Sequence, residues 1–253
     1  MKNNLMKLMS LCGLLTAILM TTTAYATPAA ALKEVQGEVF VQSAGSAADA
    51  WKAVTVDTDV NNGDSVKTGN GSCALTYTDQ ATFRLGANTS LTIQQKPDAN
   101  NVDLKLGHLM AKINSAKVTR PFQVVTPIAI GCVRGTDVDF DFNDQGAFTA
   151  DLHEGGPVQI TNEQTSMDMT LTNGNKITVQ FNKEKGELTV TNSCSSSGSV
   201  SFSLMGKTYS LDKCGKQTLN TVETAAGAPE VPGTDQNDQG NENTPNENSP
   251  VTP

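Results

Sequence analysis

The sequence has 253 residues and contains little of several residue types on which common protein functions depend. It has two histidines and one tryptophan, and its 26 acidic residues outnumber the 18 lysines and arginines, giving a formal net charge of −8. No basic cluster is present, which excludes an electropositive nucleic-acid surface. There is one short apolar run, so a polytopic membrane protein is also excluded. We find no G-x-S-x-G sequence, phosphate-binding loop or dinucleotide fingerprint, and the sequence predicts no enzyme.

The apolar run lies near the N-terminus, in residues 1–26, which have the pattern of a secretory signal peptide. Lys2 and Lys7 supply positive charge, Leu8 to Met20 are largely apolar, and Ala24-Tyr25-Ala26 gives a small-x-small cleavage pattern. The alternative is a retained membrane anchor, but 13 residues are fewer than a transmembrane helix requires. We therefore expect a periplasmic or secreted protein whose mature chain has no transmembrane segment.

Four cysteines follow this segment, namely Cys73, Cys132, Cys194 and Cys214. An even number of cysteines in an exported chain predicts two disulfide bonds, for which three connectivities exist. Cys194–Cys214 is the preferred pair because the two residues flank a predicted hairpin almost symmetrically. Cys73–Cys132 then follows by elimination. The cysteines and histidines do not have the spacing of a zinc site.

Between about Leu32 and Val222, apolar and polar residues alternate in short runs. Examples are Phe83/Leu85, Val138/Phe140/Phe142 and Ile177/Val179/Phe181. Strict alternation over a few residues predicts half-buried strands, and dipeptides such as Asn62-Gly63 and Asn173-Gly174 predict the turns between them. No convincing amphipathic helix is present. The sequence therefore predicts an all-β fold.

The organisation we expect has four parts. Residues 1–26 are the signal peptide, 27–162 the main β domain, and 163–223 an additional β-strand segment with a disulfide hairpin. Residues 224–253 contain five acidic residues, no basic residue and no aromatic residue. Such a composition cannot bury enough apolar surface to offset the entropy of ordering, so it predicts a disordered acidic tail.

Five motifs follow one another between Lys33 and Thr161. They are Gly-Asp-x-Val-x-Thr-Gly at 63–69, Arg-Leu-Gly-x-Asn-Thr-x-Leu at 84–91, a Leu-x-x-Gly strand at 104–113, an Arg-Gly-Thr segment within 121–140, and a Glu-Gly strand at 153–161. In this order they resemble the FecR-type domain, the periplasmic sensory domain of ferric-citrate-type regulators. The resemblance implies a FecR-like β-sandwich or β-roll of short antiparallel strands, here with a smaller C-terminal β segment.

In those regulators the domain relays receptor occupancy through a membrane helix to an anti-sigma segment. Seven residues precede the apolar run here, too few for such a segment. The resemblance thus implies a free-standing exported form that acts as a non-catalytic binding or sensory module. We expect its partner to be an envelope protein or a glycan, with no cofactor and no nucleic acid. The alternative is a structural or surface-assembly protein of the cell envelope.

Two candidate sites for contact with a ligand or partner emerge. Arg134, Gly135 and Thr136 form the first, because an arginine fork binds carboxylates and a glycine permits an unusual backbone angle. The structural interpretation of the same residues is a bulge with a local ion pair. Trp51 is the second candidate, as a carbohydrate-stacking platform, and its alternative role is a core side chain.

A third candidate is a row of carboxylates. Asp137, Asp139 and Asp141 alternate with apolar residues and therefore lie on one face of a predicted strand, about 7 Å apart. Oxygen ligands of this kind bind Ca²⁺, although the spacing does not match a calcium loop. The alternative is a solvated strand face. Asp151 and Glu154 join the cluster if a neighbouring strand pairs there.

Overall fold

The computed structural model describes residues 28–77, 81–114, 116, 120–194 and 196–221, and these residues form strands, turns and loops. The first ten strands are β1 (Ala30–Gln36), β2 (Val39–Gln42), β3 (Lys52–Ala53), β4 (Thr58–Val60), β5 (Ser65–Thr68), β6 (Ser72–Tyr77), β7 (Ala81–Leu85), β8 (Ser90–Gln95), β9 (Asn100–Ile113) and β10 (Phe122–Val125). The other ten are β11 (Ile130–Val133), β12 (Thr136–Phe142), β13 (Ala147–Gly155), β14 (Val158–Asn162), β15 (Met167–Leu171), β16 (Lys176–Asn182), β17 (Glu187–Asn192), β18 (Val200–Leu204), β19 (Lys207–Leu211) and β20 (Lys216–Asn220). No described residue belongs to a helix that is long and apolar enough to cross a membrane. The prediction of an all-β fold is confirmed.

The strands form two sheets that share one strand. Sheet A has the order β4–β1–β6–β7–β9–β12–β13–β16–β17–β20 and is antiparallel throughout. Sheet B has the order β3–β2–β5–β8–β9–β10–β11–β14–β15–β18–β19, in which the β9–β10 pair alone among the described pairs is parallel. The chain therefore passes repeatedly between the sheets, mostly one hairpin at a time.

Each sheet turns one face toward a common hydrophobic core. In β12, for example, Val138, Phe140 and Phe142 are buried, as the period-two pattern predicts. Side chains from the two sheets meet in this core. The rings of Tyr77 in sheet A and Phe122 in sheet B pack edge to face with their centroids 5.1 Å apart. The fold is thus a two-layered β-sandwich.

Strand β9 belongs to both sheets. Its first half, residues 100–106, pairs with β8 and β10 in sheet B. Its second half, residues 107–113, pairs with β7 and β12 in sheet A. The change of sheet occurs at Gly107, where φ is +99°. A residue with a Cβ atom is strained in this conformation, so glycine is required by the backbone itself.

A network of hydrogen bonds holds the bend in β9. The Thr89 hydroxyl accepts a bond from His108 N (3.0 Å) and donates one to His108 O (3.1 Å). Thr89 N in turn donates to the Thr68 hydroxyl (2.9 Å), which donates to Gly86 O (2.6 Å). These residues come from three of the motifs on which the family resemblance rests. The motifs therefore meet at one point, and their role there is structural.

Replacement of Gly107 by alanine is expected to destabilise the fold strongly. The new Cβ would lie 2.5 Å from Thr89 Cα, and φ would remain in the left-handed region. Left-handed strain and overpacking together predict a loss of roughly 2–4 kcal/mol in the free energy of unfolding, measured by urea denaturation. Gly146→Ala is the matched control, because its φ is +72° but no atom lies within 4 Å of the added Cβ. Equal losses in the two variants would contradict a specific close approach at Gly107.

The two sheets continue without interruption past residue 162. Strand β13 pairs with β16 in sheet A, and β14 pairs with β15 in sheet B. Buried side chains on both sides of this point belong to one hydrophobic core. The division into segments 27–162 and 163–223 stays a prediction. The expected signal peptide and acidic tail lie outside the described residues.

The structure confirms one predicted disulfide and corrects the other. Cys194, between β17 and β18, is bonded to Cys214, between β19 and β20. Cys73 and Cys132 are unbonded, so the pairing by elimination is wrong. The reason is that Cys73 faces the core between the sheets and Cys132 faces away from it. Cys73 is 3% exposed and packs in the core from sheet A, whereas Cys132 alternates with the buried Val133 and lies on the outer face of sheet B.

We expect Cys132 and Cys73 to differ sharply in reactivity toward iodoacetamide under native conditions. Burial raises the pKa of Cys73 to about 12 and also raises that of Cys132, but Cys132 is only partly buried. Peptide mapping by mass spectrometry is expected to find label at Cys132, and at Cys73 only after denaturation. The Cys194–Cys214 peptides should remain linked until a reductant is added. Native labelling of Cys73, or its recovery linked to Cys132, would refute this assignment.

Candidate functional site

The Arg134-Gly135-Thr136 segment carries the chain from β11 in sheet B to β12 in sheet A. Gly135 has φ of +74°, the special backbone angle that its position in the motif predicts. Arg134 is exposed, and among the described residues it has no ion-pair partner. The local ion pair of the structural interpretation is therefore not formed with any described residue. Gly135 and Thr136 of this segment line a groove.

This groove, the Thr136 groove, opens where strands β9 and β12 separate after the Lys112–Asp137 pair. It has a volume of about 190 Å³ and is lined by Lys112, Ile113, Gly135, Thr136, Asp137, Glu154 and Gly155. A Cβ on Gly155 would lie 2.4 Å from Gly135 O, so no side chain fits between the two segments. Glycines at this position keep the backbones of β13 and the Arg-Gly-Thr turn in close contact.

The polar groups of the Thr136 groove are incompletely paired. Thr136 is 3% exposed, and its hydroxyl oxygen has no hydrogen-bond partner within the described residues. Lys112 Nζ lies 3.6 Å from Asp137 Oδ2, and the Glu154 carboxylate makes no hydrogen bond or ion pair in the described part of the chain. A buried polar group without a partner costs about 1–3 kcal/mol of stability. Thr136 lies on the same side of β12 as the buried Val138, so this cost falls on the packed interior and not on the open part of the groove.

The predicted row of carboxylates lies on the outer face of sheet A. Pairing of β12 with β13 places Asp151 opposite Asp139 and Glu154 opposite Asp137, so both additional carboxylates join the cluster. The register shifts between Asp137 and Val138, which leaves His153 as an extra residue on β13. A bulge of this kind redirects a side chain. His153 Nε2 consequently lies 3.1 Å from Asp139 Oδ2.

Both histidines of the chain lie beside these carboxylates. His108 on β9 is opposite Asp141, and its ring nitrogens lie 3.9 Å from Asp139 Oδ2 and 4.0 Å from Asp141 Oδ2. On the other side of Asp139, Lys176 Nζ lies 2.9 Å from Asp151 Oδ2. Alternation along the strands indicates the carboxylates, but sequence analysis missed His108 and His153 as members. The bulge at His153 has no signal in a single sequence.

The arrangement gives the calcium hypothesis no support. In the part of the chain that the structure describes, no three His, Cys, Asp or Glu side chains are placed so that they could hold a metal ion. Asp137 and Asp139 instead face Lys112 and His153. A calcium site at Asp137, Asp139 and Asp141 stays a prediction, for which calorimetry with Ca²⁺ is the direct measurement.

His153 is expected to lose part of its raised pKa in the Asp139→Asn variant. The hydrogen bond to Asp139 raises the pKa of His153 above its ordinary value, and the charges of Asp139, Asp151 and Asp137 act in the same direction. A raised folded-state pKa stabilises the fold at pH below about 6.5, and this contribution is lost as the pH rises through the folded-state pKa. The stability difference between wild type and Asp139→Asn should therefore be largest near pH 5.5 and shrink by pH 8.

NMR titration of the His153 ring proton and urea denaturation at several pH values provide the two measurements. Asp141→Asn is the control, since Asp141 faces His108 rather than His153. An unchanged His153 titration in Asp139→Asn would show that the bond to Asp139 does not set its pKa.

Trp51 lies on the outer face of sheet B. The Lys67 ammonium lies 4.2 Å from the centroid of the Trp51 ring and 5.3 Å from that of Phe40, and both are cation–π contacts. Lys67 points outward because its neighbours Val66 and Thr68 are buried. Trp51 does not belong to the buried core, so the interpretation as a core side chain is wrong. Its role as a stacking platform stays a prediction, with one ring contact already taken by Lys67.

Part of the chain is similar in sequence to a known protein family. Residues 64–156 match a family model described as FecR protein. No curated protein matches the sequence. Two crystal structures of a "putative anti-sigma factor" from Parabacteroides distasonis ATCC 8503 are similar, with 18% and 19% sequence identity and TM-scores of 0.42 and 0.41. The alignments cover 51% and 50% of this chain, and they span 59% and 57% of the two solved chains.

Proposed function

We propose that this chain is a non-catalytic binding and sensory module of the cell envelope, periplasmic or secreted, because residues 64–156 match the FecR family model. The family supports a regulatory role in general. The partner we propose is an envelope protein or a glycan that contacts the Thr136 groove. Nucleic acid is a poor partner for this chain, because its net charge is −8.

The observation that carries this proposal is the groove itself, whose lining includes the charged side chains of Lys112, Asp137 and Glu154. Thr136 belongs to the Arg-Gly-Thr motif inside the matched region, and the lining glycines Gly135 and Gly155 have positive φ. The family motif therefore contributes to this groove as well as to the fold. The histidines face carboxylates, as expected of a charged recognition surface. A binding role accounts for these features without any catalytic step.

Replacement of Glu154 by glutamine separates binding from folding. Glu154 is exposed and has no hydrogen-bond or ion-pair partner among the described residues, so the free energy of unfolding should change by less than about 0.5 kcal/mol. Capture of the partner from envelope extract by the immobilised full chain should fall about tenfold, because a charged contact to the partner is lost. Quantitative mass spectrometry of the captured material and urea denaturation measure the two effects. Asp141→Asn, outside the groove, is the matched control and should capture the partner as wild type does.

Two results would contradict this function. One is the absence of any envelope component whose capture depends on Glu154. The other is a native protein found in a high-mass envelope assembly that the Glu154→Gln variant enters equally well, which would favour the structural or surface-assembly alternative.

A further inference from the structure

We infer that the outer face of sheet B binds an acidic sugar, a pyranose that carries a carboxylate, at Trp51 and Lys67. The inference goes beyond the proposed function, because these residues do not line the Thr136 groove and form a second contact surface. Trp51 supplies an apolar aromatic ring and Lys67 a positive charge, and a cation–π contact holds the two together. A sugar acid presents the complementary features, an apolar C–H face and an anionic group.

The ammonium of Lys67 is held in position but has no anionic partner. It lies 4.2 Å from the centroid of the Trp51 ring and 5.3 Å from that of Phe40. Among the described residues it makes no ion pair. Glu38, two residues before Phe40, accepts a hydrogen bond from Asn70 N (3.3 Å) instead of pairing with Lys67. Because an ammonium has three N–H donors, Lys67 can still donate to a carboxylate.

The strands around Lys67 present uncharged polar side chains on the same face. Alternation with buried residues places Ser65 of β5 outward, as it does Gln42 of β2 and Thr92 of β8. The Ser65 and Thr92 hydroxyls share one hydrogen bond (2.8 Å), which uses the proton of only one of them. Gln42 donates from Nε2 to Ala47 O (2.6 Å) and keeps its amide oxygen as an acceptor. This face can therefore both donate to and accept from the hydroxyl groups of a sugar.

Charge distinguishes this face from the outer face of sheet A. Lys67 is the one charged residue of β2, β5 and β8. Strand β12 alone, in contrast, places Asp137, Asp139 and Asp141 outward. An anionic ligand is therefore repelled by these carboxylates and attracted to Lys67. This complementarity favours a carboxylated sugar over a neutral one.

The row of side chains at Lys67 is long enough for a short oligosaccharide. The register places Phe40, Lys67 and Ser90 side by side on β2, β5 and β8. Leu106 on β9 is opposite Ser90 and continues the row. Three spacings between neighbouring strands give the row a length of about 14 Å. Leu106 is 38% exposed, so it adds apolar surface at the end of the row away from the rings.

The test uses the fluorescence of Trp51, which is the one tryptophan of the chain and therefore reports on this surface. Trigalacturonic acid and its uncharged methyl ester are titrated into the full chain at neutral pH and low salt. We expect a saturable change with the acid at a Kd of roughly 1 mM, and binding of the ester at least about tenfold weaker. Added salt should weaken binding of the acid. Tricarballylate, which has as many carboxylates but no sugar ring, should also bind at least about tenfold more weakly.

Variants assign the charge and the ring. Lys67→Met should weaken binding of the acid by about tenfold, whereas Lys67→Arg, which keeps the charge and stacks on aromatic rings, should retain it. Trp51→Ala removes the fluorescence signal, so its binding is measured by calorimetry and should also be about tenfold weaker. Lys207→Met is the matched control, because Lys207 is exposed on β19 at the opposite end of sheet B and its loss changes the net charge equally. This variant should bind as wild type does.

Four results would overturn the inference. They are no saturable binding of the acid by fluorescence or calorimetry, equal binding of the acid and its ester, and unaltered binding in Lys67→Met. The fourth is binding of tricarballylate as tight as that of the acid, which would indicate an acidic protein segment in place of a sugar. None of these results bears on the Thr136 groove, which the Glu154→Gln variant tests separately.

Discussion

The two hydrogen bonds between the Thr89 hydroxyl and the His108 backbone hold the bend in β9, the strand that both sheets share. At this point β9 leaves sheet B and enters sheet A, and Gly107 supplies the backbone angle that the change requires. Strands β8 and β10 flank one half of β9, and β7 and β12 flank the other. The register of both sheets on either side of β9 is therefore tied to a single bend.

This constraint explains what the family motifs do. Thr68, Gly86 and Thr89 are spread along the chain, yet their side chains or backbones bond to one another around the bend. Their arrangement follows from the geometry of a strand shared by two sheets and requires no ligand. The Arg-Gly-Thr segment differs, because it also lines a groove with unpaired polar groups. Lys112 and Glu154, which line the same groove, belong to the motifs at 104–113 and 153–161.

Much of the fold was predictable because strand faces follow from alternation. The row Asp137, Asp139 and Asp141 lies outward as predicted, and the Cys194–Cys214 bond follows from its position around a hairpin. The Cys73–Cys132 pairing failed because elimination contains no information on which face a residue occupies. The histidine positions were not predictable either. A one-residue bulge leaves His153 without a partner residue on β12, beside Asp139, and strand pairing over long sequence separations brings His108 beside Asp141.

Strand β9 also connects the bend with the candidate site. Lys112 and Ile113, at its C-terminal end, form one side of the Thr136 groove, while Gly107 and His108 form the bend within the same strand. A ligand in this groove would contact both β12 and the end of β9 at the place where the two strands separate. Binding there would add contacts to the one strand that belongs to both sheets. The sensory role that we propose would need such a link between groove and framework, because a ligand shifts a conformational equilibrium only through contacts that differ between the states.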